Sequence, residues 1–115
     1  PSENPYWHNA THVFAMYCSS DSFCGSKTPD TEGLRWYFHG HYIVSAIVED
    51  LFKQHGLEKA KQVLFSGSSA GAEGLLPNAD RVASLIPNAK VTVFLDSGWF
   101  MDYEPYKQGS CSGLG

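Results

Sequence analysis

Gly67-Ser68-Ser69-Ala70-Gly71 matches the pattern G-x-S-x-G. The residue types suit one chemistry. A sharp turn between a strand and a helix must hold its central residue in a strained conformation, so its neighbours must be small. Ser69 Oγ would then stand above the end of a sheet as a nucleophile. The backbone amide of Ala70, at the start of the following helix, would point to where an oxyanion forms. The helix dipole adds partial positive charge at that place. Ser68 is the rival nucleophile, but the register set by Gly67 and Gly71 selects Ser69.

The motif needs a strand before it and a helix after it, and the flanking sequence supplies both. Gln62 to Ser66 is a short apolar run compatible with a buried parallel strand. Ala72 to Ile86 reads as a helix, with Leu75, Ala79, Val82, Leu85 and Ile86 near one side. Pro77 lies inside that span, which predicts a break or a restart with Pro77 near a first helical position. Upstream, Ile43, Ile47 and Leu51 recur at four-residue spacing, as do Val44, Val48 and Phe52. That is a broad apolar stripe, and it predicts a helix from about Tyr37 to His55 that stops at Gly56. Two β-branched or aromatic runs, His12 to Tyr17 and Lys90 to Asp96, read as further strands. Residues 18–35 have a loop composition.

The predicted order is strand, helix, strand, helix, strand, with three neighbouring parallel strands. Such alternation argues for an α/β fold with a mostly parallel sheet. Three strands and two helices leave open edges and uncovered faces. The 115 residues are therefore read as an internal section of a single α/β domain that includes the nucleophile turn. The C-terminal part of that domain is expected to lie outside them.

Composition sets bounds on function. The chain is 43% hydrophobic and 17% charged, which is core-forming and not disordered. Its net charge is −4 with eight Lys and Arg in no cluster, which argues against a nucleic-acid or anionic-membrane partner. No apolar stretch approaches the ~20 residues of a transmembrane helix. The three cysteines, Cys18, Cys24 and Cys111, are an odd number. The short loop between Cys18 and Cys24 would tolerate a disulfide, and two unrelated thiols are the alternative. Asn9-Ala10-Thr11 is a glycosylation sequon, and its use would place that loop outside the cytosol.

Other residues admit a chemical and a plain reading. His39-Gly40-His41 could suggest a metal pair, but no cysteine or carboxylate completes a ligand set, so no metal is expected. Asp96 at a strand end could be an acid, and ordering the Ser97-Gly98 turn is the plainer role. Trp99, Phe100 and Tyr103 could line an acyl pocket or simply pack. Asp80-Arg81 suggests an ion pair or cap. Glu73 could sit at a pocket mouth or be solvated.

Five segments together resemble the pectin acetylesterase and Notum family. They are Asn4-Pro5-Tyr6-Trp7, Tyr17-Cys18-Ser19-Ser20-Asp21, Gly67-Ser68-Ser69-Ala70-Gly71, Ala79-Asp80-Arg81-Val82 and Asp96-Ser97-Gly98-Trp99-Phe100. Their order and spacing agree with the family over residues 4–100. The Ser-Ser-Asp after Cys18, the Gly-Ser-Ser start of the elbow and the Ser-Gly-Trp-Phe segment lean toward the Notum branch. The resemblance implies an α/β-hydrolase-like fold and a secreted serine carboxylesterase without cofactor. It implies Ser69 as nucleophile and the Ala70 amide as one oxyanion donor. Its substrate would be acylated, either a lipidated protein or a polysaccharide. Two positions depart from the family pattern: Ala72 where the elbow usually has a second glycine, and Cys24 before Gly25. The glycine-rich oxyanion segment is expected before Pro1. His8, His12, His39, His41 and His55 all precede Ser69. The triad acid and histidine are thus expected from other parts of the same fold. A non-catalytic family member or fragment with a binding or structural role is the rival reading.

Overall fold

In a computed structural model, which describes residues 2–29, 35–99 and 101, the periodic segments become two helices and two strands. Helix α1 spans Gly40–Gln54, β1 Gln62–Ser68, α2 Ala70–Leu85 and β2 Lys90–Asp96, with one 3₁₀ turn at Leu57–Lys59. β1 and β2 pair in parallel, in register from Gln62 opposite Lys90 to Ser68 opposite Asp96. The expected α/β architecture therefore holds as a β1–α2–β2 unit with α1 beside it. No helix of the described residues is long and apolar enough to cross a membrane.

Helix α1 forms where the double stripe predicts it, three residues shorter at its start. Its first amides have no intrahelical acceptor. The preceding loop satisfies two of them: Asp21 Oδ2 accepts from Gly40 N–H at 2.7 Å and Gly25 O from His41 N–H at 3.0 Å. At the other end Gly56 takes φ +74°, a left-handed conformation that glycine adopts without strain. Lys53 and Glu49 pair one turn apart on the exposed side.

Both helices cover the same face of the sheet. Val44 and Val48 of α1 meet Val82 of α2 and Ile86 just beyond it, and Val63, Phe65 and Val91 pack against them from the strands. Burial alternates along β1, with Val63, Phe65 and Gly67 half-buried and Gln62, Leu64, Ser66 and Ser68 exposed. The apolar run of β1 predicts burial on both sides; the observed alternation follows from helices on one side alone.

Two expectations are corrected. Residues His12 to Tyr17 form no strand and are exposed. β-Propensity describes residues that fit a pleated, half-buried surface, and it does not provide the neighbouring strand. The sheet of the described residues is thus two-stranded, not three-stranded. Helix α2 also runs unbroken through Pro77. The ring removes the amide that would reach the Glu73 carbonyl. Two features accommodate it. Pro77 lies on the exposed side, where carbonyls can tilt toward water. Next to it, Asn78 Nδ2 donates to Gly74 O at 2.8 Å, tying its side chain back to the helix one turn earlier.

Candidate active site

Ser69 sits between the last residue of β1 and the first of α2, at φ +54° and ψ −122°. An ordinary helix N-cap serine has extended dihedrals and accepts an amide proton on its hydroxyl. Ser69 does neither: its side chain makes no capping bond. Backbone bonds hold the conformation instead. Its N–H donates to Asp96 O at 3.1 Å, and its carbonyl accepts from Glu73 N–H at 3.0 Å. A positive φ in a residue with a Cβ costs about 1–3 kcal/mol and persists only where the surroundings enforce it.

Small residues make the turn possible. A Cβ on Gly67 would stand 2.5 Å from the Gly71 carbonyl carbon and oxygen, so only glycine lets β1 meet the first turn of α2 so closely. Gly71 itself borders open space; its required smallness in the motif has no steric cause here. Ala72 is fully buried, and a Cβ on Gly98 would come within 2.8 Å of its methyl group. The departure at residue 72 is therefore packed against a glycine on the next turn.

Ser68 and Ser69 are both exposed, but they belong to different surfaces. Ser68 ends β1 on the face without helices. Ser69 stands at the turn itself, followed by Ala70, whose amide opens α2 and has no acceptor within the helix. Beside this end of the sheet lies a shallow open depression lined by Leu95, Ser97, Gly98 and Trp99. Trp99 is largely exposed at its rim rather than packed. Phe100, Tyr103 and Cys111 lie outside the described residues. Asp96 orders the turn: its backbone carbonyl holds Ser69, and its carboxylate accepts from Ser97 Oγ at 3.3 Å.

A second structured turn, at residues 19–25, packs against α2. Asp21 is its centre. Oδ1 accepts from Ser19 Oγ (2.5 Å) and Phe23 N–H (3.0 Å), and Oδ2 from Gly25 N–H (3.1 Å) and Gly40 N–H (2.7 Å). Burial alone would raise the Asp21 pKa, but these four donors outweigh it and hold the carboxyl below its ordinary value. Ser20, Ser22 and Phe23 all have positive φ. Ser22 Oγ donates to Glu73 Oε2 at 2.6 Å, and Asn78 Nδ2 donates to Phe23 O at 2.9 Å. Sequence reasoning missed this network. The Ser-Ser-Asp run signals a turn, yet nothing local shows that Asp21 reaches Gly40 or that Ser22 reaches Glu73.

The remaining candidates are placed as follows. Arg81 forms no ion pair with Asp80. It joins the helices instead, donating to the Ser45 hydroxyl, to His41 O at 2.8 Å and to Asn78 Oδ1 at 2.5 Å. His39 precedes α1 with its ring edge-on to Tyr37 and Tyr42, and its Nε2 is buried without a partner. Among the described residues no three His, Cys, Asp or Glu side chains gather to hold a metal. Cys18 and Cys24 are exposed free thiols and are not joined to each other. Burial pushes the Cys24 thiol pKa up, and the charges of Glu73 and Asp21 add to it. Asn9 is exposed in a turn closed by Ala10 N–H to Trp7 O at 3.0 Å.

The geometry can be set beside known proteins. Residues 1–113 match the family model described as pectinacetylesterase. The chain is 42% identical over 119 residues to palmitoleoyl-protein carboxylesterase notum1 of Xenopus laevis, covering 99% of this chain and 24% of that protein. It is 44% identical over 115 residues to the NOTUM protein of Drosophila melanogaster, covering 92% and 17%. Against NOTUM of Homo sapiens it is 42% identical over 116 residues, covering 96% and 23%. The chain thus spans about a quarter or less of the length of these relatives.

Proposed function

The chain belongs to the pectinacetylesterase family, and from that premise we propose that it is the nucleophile-bearing section of a secreted serine carboxylesterase. Ser69 Oγ attacks the carbonyl carbon of an O-acyl ester, and a C–O bond forms as the carbonyl π electrons move to oxygen. The Ala70 amide, at the positive end of α2, donates to that oxyanion. A histidine takes the Ser69 proton and delivers it to the departing alcohol, leaving an acyl-serine that water then hydrolyses. That histidine, and the acid that orients it, come from other parts of the same fold.

The observation that carries this reading is the conformation of Ser69. The side chain of a helix-cap serine that makes no cap bond, held at positive φ between a parallel strand and a helix, is stabilising nothing locally. Its hydroxyl is left for another role. The names of the Notum relatives favour a lipidated protein as substrate, with an acetylated polysaccharide as the second reading suggested by the family's description. In the same secreted setting the Asn9 sequon carries a glycan.

In the full-length protein, Ser69→Ala is expected to lower hydrolysis of a p-nitrophenyl ester by about 10³-fold or more while leaving the fold intact. Ser68→Ala is expected to lose far less. A fluorophosphonate should label the wild type and not the Ser69→Ala variant. Full activity in that variant overturns the esterase reading of this turn. An unlabelled, inactive wild type with Ser69 accessible favours a non-catalytic family member. Comparing acetyl with longer acyl p-nitrophenyl esters separates the two substrate readings.

A further inference from the structure

The first turn of α2 is tied down on both sides through one residue. Glu73 N–H donates to the Ser69 carbonyl at 3.0 Å, and Glu73 Oε2 accepts from Ser22 Oγ at 2.6 Å, across 51 positions of sequence. The turn that presents Ser22 is itself under constraint. Its flanking residues Ser20 and Phe23, like Ser22, stand at positive φ of 51–58°. On one side Asp21 locks it through four hydrogen bonds. On the other, α2 approaches so closely that a Cβ on Gly74 would overlap the Ser22 carbonyl oxygen. Asn78 Nδ2 bonds the Phe23 carbonyl one turn further along.

A strained turn of this kind persists because its surroundings over-determine it. It forms a rigid abutment against the helix that begins just after Ser69. Glu73 is where that abutment reaches the strained serine, since the same residue grips Ser22 with its side chain and Ser69 with its backbone. Without the side-chain grip, the first turn of α2 can shift and Ser69 can relax toward an ordinary cap. A displacement of about 1 Å at a reacting atom costs on the order of 100-fold in rate.

We propose that Glu73, held by the Ser22 hydroxyl, is a positioning residue that keeps Ser69 in its attacking geometry. The inference rests on the esterase reading above and assigns Glu73 no contact with substrate. A carboxylate that accepts a hydroxyl proton is needed here for its acceptor oxygen, so Glu73→Gln should retain the function where Glu73→Ala loses it.

The test compares Glu73→Ala, Ser22→Ala, the double variant and Glu73→Gln in the full-length protein, by p-nitrophenyl ester kinetics and the rate of fluorophosphonate labelling. Expected is a fall in kcat of about ten-fold for each alanine variant, with KM unchanged, as for an interaction that matters only in the transition state. The double variant should lose no more than either single one, because both remove one shared bond. Glu73→Gln should recover most of kcat. Val48→Ala, which opens the core between the helices and leaves the Ser22–Glu73 bond in place, should lower the melting temperature without lowering kcat. Should Glu73→Ala fail to fold, Ser22→Ala carries the same expectation, since it removes one hydroxyl. A labelled wild type whose alanine variants label at its own rate overturns the proposal. So does a rise in KM with kcat unchanged, or a double variant about 100-fold down. A wild type that takes no label overturns the esterase reading itself, and this proposal with it.

Discussion

Ser69 and Asp21 illustrate two kinds of residue-scale information. The strain at Ser69 is legible in five consecutive residues, because they match a known turn pattern, and at Gly67 the smallness has a steric cause in the close approach of the first turn of α2. Asp21 carries as much structural consequence, yet its carboxylate serves an amide at Gly40, 19 positions away, and Gly25 close by. That separation is what hid it: a Ser-Ser-Asp run reads as a turn and is silent on which helix the turn caps. Its role has a pH signature. The Asp21 carboxyl titrates below its ordinary value of 3.8 in the folded chain, so the unfolded chain binds the proton more tightly. Its contribution to stability is therefore complete above the unfolded value and is lost as pH falls through the folded one. Asp21→Asn puts an NH₂ group where one acceptor oxygen faced backbone amides. We expect a lower denaturation midpoint than wild type at pH 7. As pH falls below 3.8 the difference should narrow, because the protonated wild type loses the same acceptor charge. A constant difference across that range would show that the carboxylate charge contributes nothing.

At the scale of elements, the four regular segments followed the periodicity that announces them. α1, β1 and β2 start and stop within a few residues of expectation. The segment at residues 12–17 did not become a strand, because side-chain type cannot supply the edge that a strand must pair with. α2 departed in the other direction, staying whole through Pro77, which lies on its exposed side. That accommodation is incomplete, and it predicts a gain. An interior proline costs a helix about 3 kcal/mol relative to alanine. Replacing it also frees the unfolded chain, which returns about 0.4–1 kcal/mol. Pro77→Ala in the full-length protein should therefore raise stability by about 2 kcal/mol, read as a shift in the urea midpoint with an unchanged slope. A loss of stability would mean that the proline ring makes packing contacts with a neighbouring part of the fold.

For the whole molecule the decisive fact is one-sided burial. α1 and α2 cover one face of the two-stranded sheet, and the other presents Leu64 and Phe94, the latter 59% exposed. Phe14, Met16, Trp36 and Leu76 are exposed as well, Phe14 by 87%. Parallel sheets in α/β proteins are ordinarily covered on both faces. A section of a larger domain would leave such side chains uncovered, and the family relatives are about four or more times as long as the matched stretch. Each large apolar side chain left in water forgoes about 1.5–3 kcal/mol, while whole domains are stable by only about 5–15 kcal/mol. A handful of such residues is enough to consume that margin. The 115 residues expressed alone should bind a hydrophobic dye such as ANS, keep helical far-UV dichroism and lack a sharp thermal transition, the behaviour of a loosely packed state. Leu64→Lys with Phe94→Lys should reduce dye binding in the isolated section, because the open face loses its apolar surface. In the full-length protein the same pair should be strongly destabilising, because two charges would be placed against whatever covers that face. A sharp cooperative melt of the isolated section, or a full-length protein that tolerates both lysines, would mean that the face is solvent-exposed in the native molecule and that α1, α2 and two strands suffice as a core.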